Sequence, residues 1–251
     1  MSAVFGGERA IGAVETSADV RDALPVAMPT TIEVAGQTLT LLPQKAGWLA
    51  DARTLLIADA HVGKAVSFRA LGVPVPRGTT SETLAALTAL IEQHGARRVV
   101  FLGDFMHSSR SFAAATLAAV ARWREQHAAI ELTLVRGNHD DRAGDPPAAW
   151  GFEVVDEPLM LNGLALCHHP KPRVNGYVLA GHLHPCVSLT GRVGDRLRLP
   201  CFWFGEHVGV LPAFGAFTGM HPIVAQAGER VFAVADDHVR ELPTSAPPRS
   251  G

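Results

Sequence analysis

Five short apolar runs, each ending in the same narrow kind of polar group, constrain this chain more than any other feature. The runs cover residues 54–58, 99–102, 132–135, 164–167 and 177–180. They end, in order, in Asp59-Ala60-His61, in Gly103-Asp104 with His107 three positions on, in Gly137-Asn138-His139-Asp140, in His168-His169, and in Gly181-His182-Leu183-His184. Runs of this length bounded by turn residues read as buried strands. Helical patterns separate the first three. Residues 79–94 place Leu84, Leu87, Leu90 and Ile91 on one stripe, with Thr79 and Glu82 at capping-box spacing and Gly95 as a stop. Residues 111–127 repeat the pattern with Phe112, Leu117, Val120 and Trp123. Alternating strands and helices call for an α/β fold.

Before these runs, residues 31–42 (TIEVAGQTLTLL) read as a hairpin turning near Gly36. After His184, residues 197–204, 208–211 and 231–234 read as short strands between Gly and Pro turns. The expected organisation is a mobile extension over 1–28, one domain over 29–242 with an α/β first half and a β-rich second half, and a disordered tail over 243–251. With 47% apolar and 18% charged residues, such a domain can bury a real core.

In open α/β sheets, ligands bind beyond the carboxyl ends of the strands. Five strand ends bearing Asp, Asn and His should therefore converge on one volume. Seven of the twelve histidines fall in these five segments, namely 61, 107, 139, 168, 169, 182 and 184. A lone Asp or His after a strand is ordinarily a cap or a turn residue. Five such endings in succession are not accounted for that way. Mixed carboxylate and imidazole donors suit Mn, Fe, Co, Ni or Zn better than Ca or Mg. One Asp can bridge two cations set roughly 3.5–4 Å apart, a spacing that clamps both oxygens of a phosphate displacement.

Other classes are disfavoured. A net charge of −2 does not suit a protein that coats nucleic acid by charge alone. Three cysteines (167, 186, 201) without a CxxC pair do not suit a disulfide framework or a Cys-rich zinc site, and reduced thiols point to the cytoplasm. No segment has the length and apolarity of a membrane span, and no secretory signal is evident.

The ordered set D-x-H, G-D, G-N-H-D, H and G-H-x-H resembles the calcineurin-like metallophosphoesterase superfamily. The resemblance implies a four-layer αββα sandwich of two mixed sheets flanked by helices. It also implies one cation on Asp59, His61, Asp104 and His184 and a second on Asp104, Asn138, His168 and His182, with Asp104 shared. His139 would serve the leaving oxygen without binding metal, and Asp140 would orient His139. His169 is the alternative to His168. The stretch from His61 to Pro76, together with Gly-Asp-Phe-Met-His-Ser, Cys-His-His-Pro, Trp48 and the Leu-Pro-Ala-Phe-Gly-Ala-Phe-Thr-Gly stretch from Leu211, resembles the ligase-associated DNA damage response (PdeM) phosphoesterases.

That narrower resemblance implies a phosphodiesterase or endonuclease working beside a DNA ligase, a helicase-like protein and an exonuclease. Of the metals the donors suit, manganese is the expected pair, with Fe, Co, Ni or Zn as alternatives. Lys64, Arg69, His107 and Arg110, close behind the first two motifs, are candidate phosphate contacts. Each also reads as a solvated charge or turn residue. Two rival readings are hydrolysis of a small ester (a cyclic nucleotide, a nucleotide-sugar or a lipid-linked pyrophosphate) and a non-catalytic scaffold. The complete ligand set speaks against the scaffold.

Overall fold

The computed structural model describes residues 28–70, 72–75, 78–173, 175–190 and 196–243. The expected extension, apart from Met28, and the expected tail, apart from Pro243, lie outside them. Met28 is tied to the domain: its amide donates to Asp237 O at 2.8 Å and its carbonyl accepts from Val239 N.

The first sheet is built from β1 (Thr30–Val34), β2 (Gln37–Leu42), β3 (Ala46–Leu49) and β4 (Thr54–Ile57), then β5 (Arg98–Leu102), β6 (Glu131–Val135) and β7 (Phe152–Val155). It runs in that order from edge to edge, antiparallel up to β4 and parallel from β4 to β7. The hairpin turns on Ala35 and Gly36, both at positive φ (50° and 74°), the twist a two-residue connection needs. Among the described residues, four α-helices accompany this sheet: α1 (Lys64–Ala70), α2 (Thr79–His94), α3 (Ala114–Gln126) and α4 (Asn138–Ala143). The second sheet contains β8 (Leu159–Leu161), β9 (Leu164–Leu166), β10 (Tyr177–Ala180), β11 (Pro185–Thr190), β12 (Arg196–Phe204), β13 (Val208–Val210), β14 (His221–Pro222), β15 (Arg230–Ala235) and β16 (His238–Leu242). Its central pairs β9–β10 and β10–β13 are parallel, and β12 joins β13 and β15 antiparallel.

Strand alternation assigns the faces. Leu55, Ile57, Val99, Phe101, Leu132 and Leu134 meet Leu84, Leu87, Leu90 and Ile91 of α2 and Val120 and Trp123 of α3. Leu56, Val100, Leu102 and Val135 point the other way and meet Leu164, Leu166, Leu179, Phe202 and Phe232 of the second sheet. Each leucine buried this way stabilises the fold by about 2 kcal/mol. The two mixed sheets thus pack face to face, as the resemblance implies. The outer face of the second sheet carries Ala165, Cys167, Val178 and Ala180, and among the described residues no helix joins that cluster. All three cysteines are buried and free.

Two helix details differ from the sequence reading. Gly95 ends α2 in the left-handed region (φ 57°) as expected, but the cap at the start is Gly78, with no side-chain bond. Thr79 is therefore already the first helical residue, one position too late to cap Glu82. Residues 111–127 do not form one helix. Ser109–Phe112 makes a 3-10 turn whose Ser111 Oγ accepts from Ser108 N, and extended Ala113 separates it from α3.

Candidate metal centre

The carboxyl ends of β4, β5, β6, β9 and β10 open on one edge of the two-sheet core. Every strand-end motif meets there. On one side, Asp59, His61 and His184 bring ligand atoms within 4.8 Å of one another; on the other, Asp59, Asp104 and His168 do the same. Asp104 stands between the two sides. Its Oδ2 lies 3.9 Å from His61 Nε2, and its Oδ1 lies 3.5 Å from His168 Nε2. Asp59 Oδ1 is 3.6 Å from His184 Nε2, while Oδ2 accepts from His182 N at 2.8 Å.

The backbone carries strain at these positions. Asp59, His61, Asp104, His182 and His184 all adopt positive φ, between 45° and 72°. Non-glycine residues seldom do so, and such strain clusters at functional sites. The neighbouring glycines serve mainly close approach. A Cβ on Gly137 would sit 2.3 Å from Asp104 Oδ1, and one on Gly181 would sit 2.6 Å from Asp59 Oδ2. A Cβ on Gly103 would sit 2.1 Å from His168 Nδ1, and of these three glycines Gly103 alone has positive φ (80°).

The donor set fits divalent cations. His168 is fully buried, and its Nδ1 donates to Leu102 O at 3.0 Å, so Nε2 presents a lone pair. That lone pair faces Asn138 Oδ1 and His182 Nδ1, each at 3.0 Å, as well as Asp104. At most one proton can be shared among these acceptors, so the rest repel unless a cation lies among them. Asp59 Oδ1 and His61 Nδ1 are buried with no hydrogen-bond partner, another deficit a cation relieves. Burial, reinforced by the charge of Lys64, holds His61 well below the usual imidazole range, and so in the neutral form that binds metal.

The histidine doublet divides its roles. His168 turns into the cluster; His169 Nδ1 lies 3.3 Å from Glu157 Oε1, while its ring still brings a ligand atom within 4.8 Å of those of His168 and His182. Glu157 itself escapes the sequence reading. It follows β7, at the edge of the first sheet, and reaches across to the second. Its Oε2 accepts from the amides of both His168 and His169 at 2.9 Å, and Arg173 donates to Oε1 at 2.9 Å. Burial pushes its pKa up, but these amides and nearby charges outweigh it and the net shift is downward. Glu157→Ala should release the doublet and lower cation affinity about 10–100-fold. Metal content after dialysis against a graded chelator would measure this, and wild-type retention would contradict it.

His139 lies beside the cluster. Its Nδ1 donates to His107 O at 2.6 Å, which leaves Nε2 facing Asp104 Oδ2 at 4.0 Å. The orienting partner is thus a backbone carbonyl, in place of the Asp140 expected. Buried Asp140 instead accepts from Met106 N and Gly137 N, tying the second motif to the third, and burial raises its pKa to about 6. The His107 ring stacks on His139 with centroids 4.9 Å apart, and burial brings its pKa down to about 4. Lys64 lies over the Phe68 ring, close enough to feel the charges of Asp59 and Asp104. Arg69 and Arg110 are exposed, in the last turn of α1 and in the 3-10 turn.

The chain is similar to known proteins in sequence and fold. The calcineurin-like phosphoesterase family matches residues 52–189. The crystal structure of Pseudomonas putida nuclease MPE is 44% identical, covering 85% of this chain and 100% of that one, with a TM-score of 0.77. Yfce, a phosphoesterase from E. coli, is 16% identical over 76% of this chain and 99% of that one, with a TM-score of 0.39. No curated protein matches. Among the described residues, no helix is long and apolar enough to cross a membrane.

Proposed function

Because the chain belongs to the calcineurin-like phosphoesterase family and is a metal-dependent phosphoesterase, we propose that it is a two-cation phosphodiesterase acting on nucleic-acid strands, an endonuclease. The observation that carries this reading is the convergence of Asn138 Oδ1, His182 Nδ1 and Asp104 Oδ1 within 3.5 Å of His168 Nε2, beside the unpartnered Asp59 Oδ1. Asp59, His61, Asp104 and His184 would hold one cation, and Asp104, Asn138, His168 and His182 the other. Bound divalent cations supply charge neutralisation and acidify water. His139, its ring held by the bond from Nδ1 to His107 O, acts in the imidazolium form, giving the Nε2 proton to the departing oxygen and keeping the one on Nδ1. Lys64 and His107 border the same space and contact phosphate oxygens. The mixed imidazole and carboxylate donors support manganese. Likeness to a nuclease supports a nucleic-acid substrate. A DNA-repair setting with ligase, helicase-like and exonuclease partners is supported by the PdeM-like motifs.

The test is a manganese-supplemented panel of bis-p-nitrophenyl phosphate, a monoester, 2′,3′-cyclic nucleotides, and single- and double-stranded DNA. Diester and DNA cleavage are expected, lost on chelation and restored by manganese. Turnover of cyclic nucleotides without DNA cleavage would replace the nuclease reading with that of a small-ester hydrolase.

A further inference from the structure

Lys45 lies in the turn between β2 and β3, where its amide donates to Leu42 O at 2.9 Å. Its backbone is left-handed (φ 64°), a conformation glycine would adopt more readily. The side chain is largely buried, and its Nζ donates to Phe214 O at 2.9 Å. Among the described residues that neutral carbonyl is its partner, and no carboxylate pairs with it. Buried ammonium groups are ordinarily matched by an anion, because desolvating the charge is otherwise costly. Here burial alone shifts the group, down to about 8.

The ammonium lines a cavity of about 190 Å³ with His184, Gly215, Thr218 and Gly219. His184, a candidate metal ligand, donates from Nδ1 to Gly219 O at 3.1 Å. The same loop is pinned to the end of β4, since Phe214 N donates to Ala58 O and Gly215 N to Asp59 O. The cavity therefore opens beside the metal centre, with an uncompensated cation in its wall.

We infer that Lys45 binds a second, non-scissile phosphate of a nucleic-acid strand whose neighbouring phosphodiester lies at the metal centre. This rests on the nuclease reading and deepens it. An ammonium uses one of its three donors on Phe214 O, which leaves two for phosphate oxygens. A substrate with a single phosphate gains nothing from it.

Manganese-loaded wild type, Lys45→Met and Lys45→Arg would be compared on a thymidine oligonucleotide and on bis-p-nitrophenyl phosphate, which has one phosphate. Lys45→Met should raise KM for the oligonucleotide roughly tenfold and leave bis-p-nitrophenyl phosphate kinetics within about twofold, because a substrate with one phosphate loses no binding at this subsite. Anisotropy of a labelled oligonucleotide should show the salt dependence of log K falling by about 0.7. Lys45→Arg should retain most of the wild-type KM. If the methionine variant does not fold, Lys45→Gln removes the charge while keeping a donor for Phe214 O. Equal losses on both substrates, or no change on either, would overturn the assignment. Wild type that hydrolyses bis-p-nitrophenyl phosphate but not the oligonucleotide would instead overturn the nuclease reading, and this subsite with it.

Discussion

Replacing Asp104 by alanine is expected to strip cation from both halves of the site and to lower turnover by roughly three orders of magnitude, about 4 kcal/mol on the barrier. The reason is positional. Asp104 is 2% exposed, and its two oxygens face different histidines, Oδ2 toward His61 and Oδ1 toward His168. Asp59 also belongs to both donor groups, but its Oδ2 is already engaged by His182 N, whereas both oxygens of Asp104 face histidine nitrogens. Oδ1 also accepts from His139 N at 2.9 Å, so the substitution removes part of the support for His139. Two measurements check the expectation. Elemental analysis should find the variant depleted of cation, and its Tm should not rise on manganese addition as the wild type's should. Cation content and activity within tenfold of wild type would contradict a shared ligand.

His139→Ala should behave differently. Turnover should fall about 10²–10⁴-fold, the range for a positioned general acid, while metal content stays at the wild-type level. The effect should also depend on the leaving group. A nitrophenolate departs without help, so the loss should be smaller on bis-p-nitrophenyl phosphate than on DNA, whose leaving alkoxide needs a proton. The geometry behind this is the fixed ring: a carbonyl can only accept, so Nδ1 keeps its proton on His107 O, and Nε2, which faces the site, is the nitrogen from which the imidazolium gives up its second proton. Loss of metal in this variant would make His139 a ligand. An equal loss on both substrates would remove the proton-delivery role.

Much of this architecture is legible along the chain because it obeys local rules. Residues 54–58 are read as a strand ending in a ligand, and β4 (Thr54–Ile57) is fully buried and leads into Asp59. The span of α2 follows from its leucine stripe and Gly95, since a 3.6-residue period leaves a mark in any window of that length. The 3-10 turn before α3 leaves no such mark, because one serine hydroxyl decides it. β7 and β8 are short and half-buried, below what periodicity can resolve.

The order and identity of the strand-end motifs, and hence the chemistry they suit, belong to the sequence alone: residue type limits which donors exist, and strand length limits where they emerge. Which of His168 and His169 faces the cluster, which group orients His139, how Glu157 clasps the doublet and how Lys45 comes to line the cavity belong to the tertiary structure. These contacts join positions far apart, with 123 positions between His182 N and Asp59 Oδ2 and 169 between Lys45 Nζ and Phe214 O. The side chains that meet are chosen by how two twisted sheets pack and by left-handed backbone at Asp59, Asp104 and His182. Neither is written in the spacing of residues along one strand.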